Sequence, residues 1–263
     1  MSDSYSQQKS RTAQFKSKLV SHQPLMGTFL KTPSYIVCEV LGLSPLSCVA
    51  IDAEHAPFDR RELDLCIAAL RAADMPSLVR VATTSHAEIL NALDCGATGV
   101  IAPHIITADD AAEFAQACRY ASNDFQGSRG YAGSSRSARY TTKAMADHLR
   151  ESNQAAIAVA QIEDAAALDH LDAIATTPGI DCMFVGRMDL TVSLGASSPK
   201  DSVVLDAVNL ICEAGERHNK PIGMFFPPTE QVSDWKGKAS FFLLGSDHGF
   251  LLDGARALAA RLA

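Results

Sequence analysis

The stretch "SLVRVATTSHAEILNALDCGATGVIAPHI" (77–105) contains one complete unit of the fold. It opens on an apolar run at 77–82 that carries a single charge, Arg80. Ser85 then offers a hydroxyl to a helix N-terminus and Glu88 follows three residues on, the spacing of a capping box. Gly96 stops the helix, and a second apolar run, 99–105, begins. Strand, helix and second strand in immediate succession are the repeat of a parallel α/β protein.

The same rhythm extends in both directions. Apolar runs at "LMGTFL" (25–30), "LSCVAI" (46–51), "AIAVAQI" (156–162), "CMFVGR" (182–187), "PIGMFF" (221–226) and "SFFLLG" (240–245) bring the number of expected strands to eight. None alternates cleanly between apolar and polar residues, as expected of parallel strands covered on both faces. Helical spacing fills the gaps: 60–74 with Leu63, Ile67 and Leu70, 107–120 opening at Thr107, 201–218, and 250–262. Eight strands alternating with helices predict a (β/α)8 barrel. An open doubly wound sheet is the alternative, disfavoured because no GxGxxG follows the first strand. With no low-complexity linker, 21–263 reads as one barrel domain, preceded by a polar extension, 1–20, expected to fray or to form a short capping helix.

The totals exclude several classes. The 263 residues carry a net charge of -7, with 47% apolar and 20% charged residues, the balance of an ordinary soluble domain. No basic cluster is available to neutralise phosphates, which argues against nucleic acid as a partner. Seven cysteines lie mostly in apolar runs without a CxxC pair, as in a reduced, cytoplasmic protein. The N-terminus lacks a signal-peptide core. No apolar run approaches the ~18 residues of a membrane span.

A barrel gathers its chemistry at the C-terminal ends of its strands. The second run leads into Asp52, Glu54 and His55; the third holds Arg80; the fourth ends at His104; the fifth leads to Gln161 and Glu163. The sixth leads to Gly186, Arg187 and Asp189, and the eighth to Ser246, Asp247 and His248. Glu163 and Asp189 follow neighbouring strands. Two carboxylates side by side repel unless a cation lies between them, and an all-oxygen set favours Mg2+ or Mn2+ over zinc. Either acid could instead cap the helix that follows it. His55 suits a general base, or a rim histidine bonded to backbone, with Asp52 and Glu54 placed to orient it. Arg80 in an apolar strand requires an anion: Asp52 or Glu54, or a substrate carboxylate or enolate. Asp94, late in its helix, opposes the helix dipole and reads as a solvated surface acid. The segment "GSRGYAGSSRSARY" (127–140) reads as a loop able to bind phosphate or carboxylate, or as plain mobile surface. No lysine occurs in any predicted strand, which argues against Schiff-base chemistry.

Taken in order, "IDAEHAP" (51–57), "LVR" (78–80), "LDCGATGVIAPHI" (93–105), "RG" (129–130), "QIE" (161–163) and "DCMFVGRMDL" (181–190) resemble the HpcH/HpaI aldolase family over about residues 20–260. The resemblance implies a barrel of the phosphoenolpyruvate/pyruvate type. It also implies a class II aldolase that makes or cleaves the bond between the pyruvate enolate and an aldehyde, acting on a 4-hydroxy-2-keto acid. A divalent cation, Mg2+ or Mn2+ with Co2+ also admissible, would be held by Glu163 and Asp189. His55 would be the base and Arg80 would stabilise the enolate. Gln161 and the backbone at Met188–Asp189 would touch substrate, and Asp52 would lie between the metal's waters and the other polar groups. Asp94 would reach a neighbouring subunit's histidine, in a homohexamer built as a trimer of dimers that exchange a C-terminal helix. One departure is "GRM" (186–188), where family members carry "GP" and a small residue. There Arg187 and Met188 would narrow the pocket or add a positive contact. Two other activities fit the same scaffold, a citrate-synthase-like condensation and a citrate-lyase-β-like cleavage, as does a non-catalytic keto-acid-binding barrel.

Overall fold

All eight apolar runs form strands: β1 (Leu25–Leu30), β2 (Cys48–Asp52), β3 (Ser77–Arg80), β4 (Gly99–Ala102), β5 (Ile157–Ile162), β6 (Cys182–Val185), β7 (Ile222–Phe226) and β8 (Phe241–Ser246). The computed structural model describes residues 10–227, 230 and 232–261. Residues 1–9 of the expected extension, and Leu262 and Ala263 at the end of the expected C-terminal helix, lie outside them. The strands close in sequence order, every neighbour parallel, with β8 pairing to β1. The sheet is therefore a closed TIM-type barrel, and the open doubly wound alternative is excluded.

Two strands end earlier than their apolar runs. β4 stops at Ala102 because Pro103 has no N–H for the ladder. His104 then takes the left-handed region at φ 53°. β3 stops at Arg80, which is thus the last residue of its strand and not part of its interior.

Ten α-helices occur among the described residues: α1 (Arg11–Val20), α2 (Tyr35–Gly42), α3 (Arg60–Ala72), α4 (His86–Cys95), α5 (Ala108–Ala117), α6 (Met145–Ala155), α7 (Leu171–Thr176), α8 (Arg187–Ser193), α9 (Ser202–Arg217) and α10 (Asp247–Ala259). In α3 the buried stripe includes Leu63, Ile67 and Leu70, the positions of the predicted spacing. Gly96 ends α4 with φ +97°, a conformation that a side chain would strain. The capping box expected there is half made. Ser85 Oγ accepts from Glu88 N at 3.4 Å, but the Glu88 carboxylate turns to the Thr83 N–H at 2.8 Å.

Inside the barrel, Phe29, Cys48, Ala50, Leu78, Ile101, Ile157, Val159, Cys182, Phe184, Phe241 and Leu243 form one buried cluster. Its members recur at every second residue, as one face of a strand must. The same period carried past this layer reaches Asp52, Arg80, Gln161, Glu163 and Gly186. The polar rim therefore continues the inward-facing series. At the opposite end α1 closes the barrel. Phe15 and Leu19 are buried in the same cluster, and the Phe15 ring meets Phe241 edge-on at 6.2 Å. Arg11 fixes the helix by donating to the carbonyls of Gly42 and Ala73 at 3.0 and 2.9 Å. Burying two such side chains stabilises the fold by roughly 1.5–3 kcal/mol each.

Candidate active site

The parallel register of β2 and β3 sets Asp52 directly beside Arg80. Asp52 is fully buried, and its carboxylate accepts from Arg80 Nε at 3.0 Å and Nη2 at 2.8 Å. Lys31, the first residue past β1, donates to the same carboxylate through Nζ, and the His55 N–H donates to it at 3.1 Å. Burial alone would push the Asp52 carboxyl up. Arg80, then Lys31 and the His55 amide, outweigh that and hold it down at about 2. The Phe29 ring lies under both cations, 4.8 Å from the Arg80 guanidinium carbon and 5.9 Å from Lys31 Nζ. Of the anions open to Arg80, the structure thus selects Asp52, with Glu54 Oε2 3.2 Å from Nε as a second charge partner.

A second group stands beside the first. Ligand atoms of Glu54, His104 and Glu163 all lie within 4.8 Å of one another. Glu163 is 2% exposed and accepts from the His104 N–H at 2.9 Å and from Gln161 Nε2. Burial raises its carboxyl above the usual range, and the neighbouring Glu54 charge adds to the effect. Gly186 makes room for it, since a Cβ there would sit 2.5 Å from Glu163 Oε2. The His104 Nδ1–H donates to Asp164 Oδ2 at 2.9 Å, and that contact raises the imidazole's affinity for a proton. Glu54 Oε2 and Gln161 Oε1 are buried with no hydrogen-bond partner. Two acids, an imidazole and orphaned oxygens form a donor set that fits a divalent cation.

The remaining expected residues fall as follows. His55 is half exposed, its Nε2 3.8 Å from Glu54 Oε2. Asp189 is partly buried in the first turn of α8, three residues from Gly186, and Met188 beside it is exposed. Arg187 adds no free positive contact: Nη1 donates to Glu230 Oε1 at 2.7 Å, Nη2 to Oε2, and its guanidinium lies 5.2 Å over the Phe226 ring. Asp94 is not the free solvated acid that its helix position suggests. It accepts at 2.9 Å from Arg129, an arginine buried against the Tyr120 ring. In the 127–140 loop, Arg129 and Arg136 bind carboxylates of the chain itself, Asp94 and Asp64. His248 is exposed.

Lys31 escaped the sequence reading, although the rule that reveals Asp247 also reveals it: it is the residue after a strand. A lysine therefore does stand at a strand end, although none lies within a strand. What speaks against Schiff-base chemistry is that the Lys31 ammonium is held on Asp52. Asp247 closes the rim, its carboxylate accepting from the Lys31 and Thr32 N–H groups at 2.8 and 3.0 Å. Two clefts of about 560 and 910 Å³ open near the other end of the barrel, around Lys220 and Ser240 and around Lys16 and Ala156, and contain none of these rim residues. No helix among the described residues is long and apolar enough to cross a membrane. All seven cysteines are buried and free.

Known proteins resemble the chain over the whole domain. Residues 25–253 match the model of the HpcH/HpaI aldolase/citrate lyase family. A 5-keto-4-deoxy-D-glucarate aldolase of Klebsiella pneumoniae is 33% identical over 93% of this chain and 94% of its own length. A hydroxypyruvate/pyruvate aldolase of Paraburkholderia phytofirmans is 34% identical over 81% of this chain and 83% of its own. The crystal structure of an HpcH/HpaI aldolase/citrate lyase family protein from Burkholderia cenocepacia superposes with a TM-score of 0.89 at 31% identity, covering 94% of this chain and 98% of that one. Fold, rim chemistry and relatives agree: the chain belongs to the HpcH/HpaI aldolase/citrate lyase family and is a carbon–carbon lyase.

Proposed function

We propose that the rim catalyses reversible aldol cleavage of a 4-hydroxy-2-keto acid to pyruvate and an aldehyde, with a divalent cation, Mg2+ or Mn2+, held by Glu163 and Asp189. The observation that supports it most is the pairing, at one rim, of two cations fixed on buried Asp52 with the carboxylate–imidazole group around Glu163. The names of two relatives point the same way, a keto-deoxy sugar-acid aldolase and a hydroxypyruvate/pyruvate aldolase.

When bound, the cation would act as a Lewis acid toward the keto and carboxylate oxygens of the substrate. Arg80 sets positive charge where the enolate develops, and Asp52 fixes its guanidinium so that little reorganisation accompanies the reaction. Lys31, on the same carboxylate, offsets its charge. Gln161 presents an amide oxygen free to meet substrate. His55 takes the proton of the 4-hydroxyl in cleavage and returns it in condensation, oriented by its backbone bond to Asp52 and by Glu54. Asp94 acts from a neighbouring copy of the chain, in a hexameric assembly.

The test is deuterium exchange into the methyl group of pyruvate, followed by proton NMR. Exchange should require Mg2+ or Mn2+, disappear with EDTA, and fall at least ~10²-fold in His55→Ala. A wild-type protein that exchanges nothing under either cation would rule the reading out. Exchange confined to oxaloacetate or an acyl-CoA would point instead to a citrate-synthase-like or citrate-lyase-like enzyme, the second activity in the family's name. An aldehyde panel read by product mass then identifies the acceptor.

A further inference from the structure

His104 combines four features that nothing in the reaction above requires of it. It sits at φ 53°, a region that costs a non-glycine residue of order 1–3 kcal/mol and persists where surrounding contacts enforce it. Two contacts do so: the His104 N–H donates to Glu163 Oε1 at 2.9 Å, and ring Nδ1 lies 2.9 Å from Asp164 Oδ2. The other ring nitrogen, Nε2, lies 3.9 Å from Glu54 Oε1, too far for a hydrogen bond. Beside this group, Gln161 is 1% exposed and hydrogen-bonded to Glu163, yet its own Oε1 has no partner.

This is how a protein prepares a metal-binding imidazole. A ligating histidine almost always holds its second nitrogen on a carboxylate or carbonyl, which fixes the tautomer and turns the free nitrogen's lone pair toward the metal. Here Asp164 engages Nδ1 and so leaves Nε2 as the ligand nitrogen. Asp164 follows Glu163 directly in sequence, so a single strand end both supplies an acid and orients the imidazole. Glu54 and the buried Glu163 carboxylate face the same space, within 4.8 Å of the imidazole, and Glu54 Oε2, though near Arg80, has no hydrogen bond.

We propose that His104 gives a nitrogen ligand, through Nε2, to the divalent cation of Glu163 and Asp189, with Glu54 facing the same space, so that the donor set mixes nitrogen and oxygen and prefers Mn2+ or Co2+ to Mg2+. Imidazole suits the transition metals, whereas Mg2+ keeps to oxygen and water. The inference rests on the reading of Glu163 as a metal-holding residue and adds to it the ligand type and the metal preference.

Pulsed EPR of the Mn2+-loaded protein tests it without any substrate. The wild type should show nitrogen modulation from a bound imidazole, and His55→Ala should keep it. His104→Gln should lose the modulation while still binding Mn2+, about 10–100-fold more weakly, with its preference for Mn2+ over Mg2+ reduced. Asp164→Asn should keep the modulation at lower Mn2+ affinity, and it serves as the second variant should His104→Gln fail to fold. Bound Mn2+ without nitrogen modulation in the wild type overturns the role of His104 and leaves the aldolase reading standing. Modulation that survives in His104→Gln, or vanishes in His55→Ala, overturns it as well. If Glu163→Gln binds Mn2+ as tightly as the wild type, the metal reading itself falls.

Discussion

Asp52 is the residue on which both cations of the rim depend. Removing it leaves Arg80, 7% exposed, with only Glu54 beside its Nε, and breaking a buried pair of this kind costs about 3–5 kcal/mol. Asp52→Ala should therefore lower the urea midpoint sharply as well as abolish turnover, a double loss that distinguishes it from His55→Ala, whose half-exposed side chain carries little stability. The pH dependence has a defined sign. The folded carboxyl is held at about 2, below the ~3.9 of an unfolded chain, so its contribution is complete above pH ~4 and drains away as the pH falls toward 2. Unfolding midpoints measured between pH 5 and pH 2.5 should show that loss in the wild type and a shallower slope in Asp52→Asn. Much of this was legible in the chain: a charged residue in an apolar strand must be paired, and Asp52, Glu54 or a substrate anion were the candidates. What could not be read was the choice among partners, because that choice depends on the register between β2 and β3 and on Lys31, which lies far away in sequence. For the same reason a lone Asp94 looked like surface, since Arg129, which holds it, sits in an irregular loop.

Among the elements, β6 and α8 meet at Gly186, and the absence of a side chain there is what admits Glu163. Gly186→Ala would press a methyl group to within 2.5 Å of Glu163 Oε2. The expected result is Mn2+ binding weakened by about 10–100-fold with the fold retained, measured by calorimetric titration. At the other end, Phe15→Ala opens the plug that α1 makes and should cost about 3–5 kcal/mol in chemical denaturation while leaving metal binding unchanged. The strands themselves were readable because buried parallel strands are continuous apolar runs, and α3 was readable from its three- and four-residue spacing. α1 was less so. Its sequence, RTAQFKSKLV, has only two residues that end up buried, Phe15 and Leu19, and polar surroundings hide that pair until the barrel floor exists to receive it. His104 was visible as a strand-end residue, but its backbone conformation and its bond to Asp164 are tertiary facts.

For the molecule as a whole, α10 stands out: Phe250, Leu251, Leu252 and Leu258 are all exposed on it, and Tyr35, Ile36, Val40 and Leu43 are exposed on and beside α2. Exposed apolar side chains of this kind are what an interface between subunits would cover. The expected outcome of sedimentation analysis is an oligomer that Leu251→Glu shifts to lower mass, and a monomeric wild type would count against it. The closure of the barrel adds something of a different kind. Asp247 reaches the Lys31 and Thr32 amides across 216 and 215 residues of chain, so the rim is assembled at the seam where the last strand meets the first. That seam is a true strand pairing, which leaves the wall no edge. Lys31 and Thr32 therefore wait on a partner made more than two hundred residues later, and activity should appear in refolding only once β8 has docked on β1.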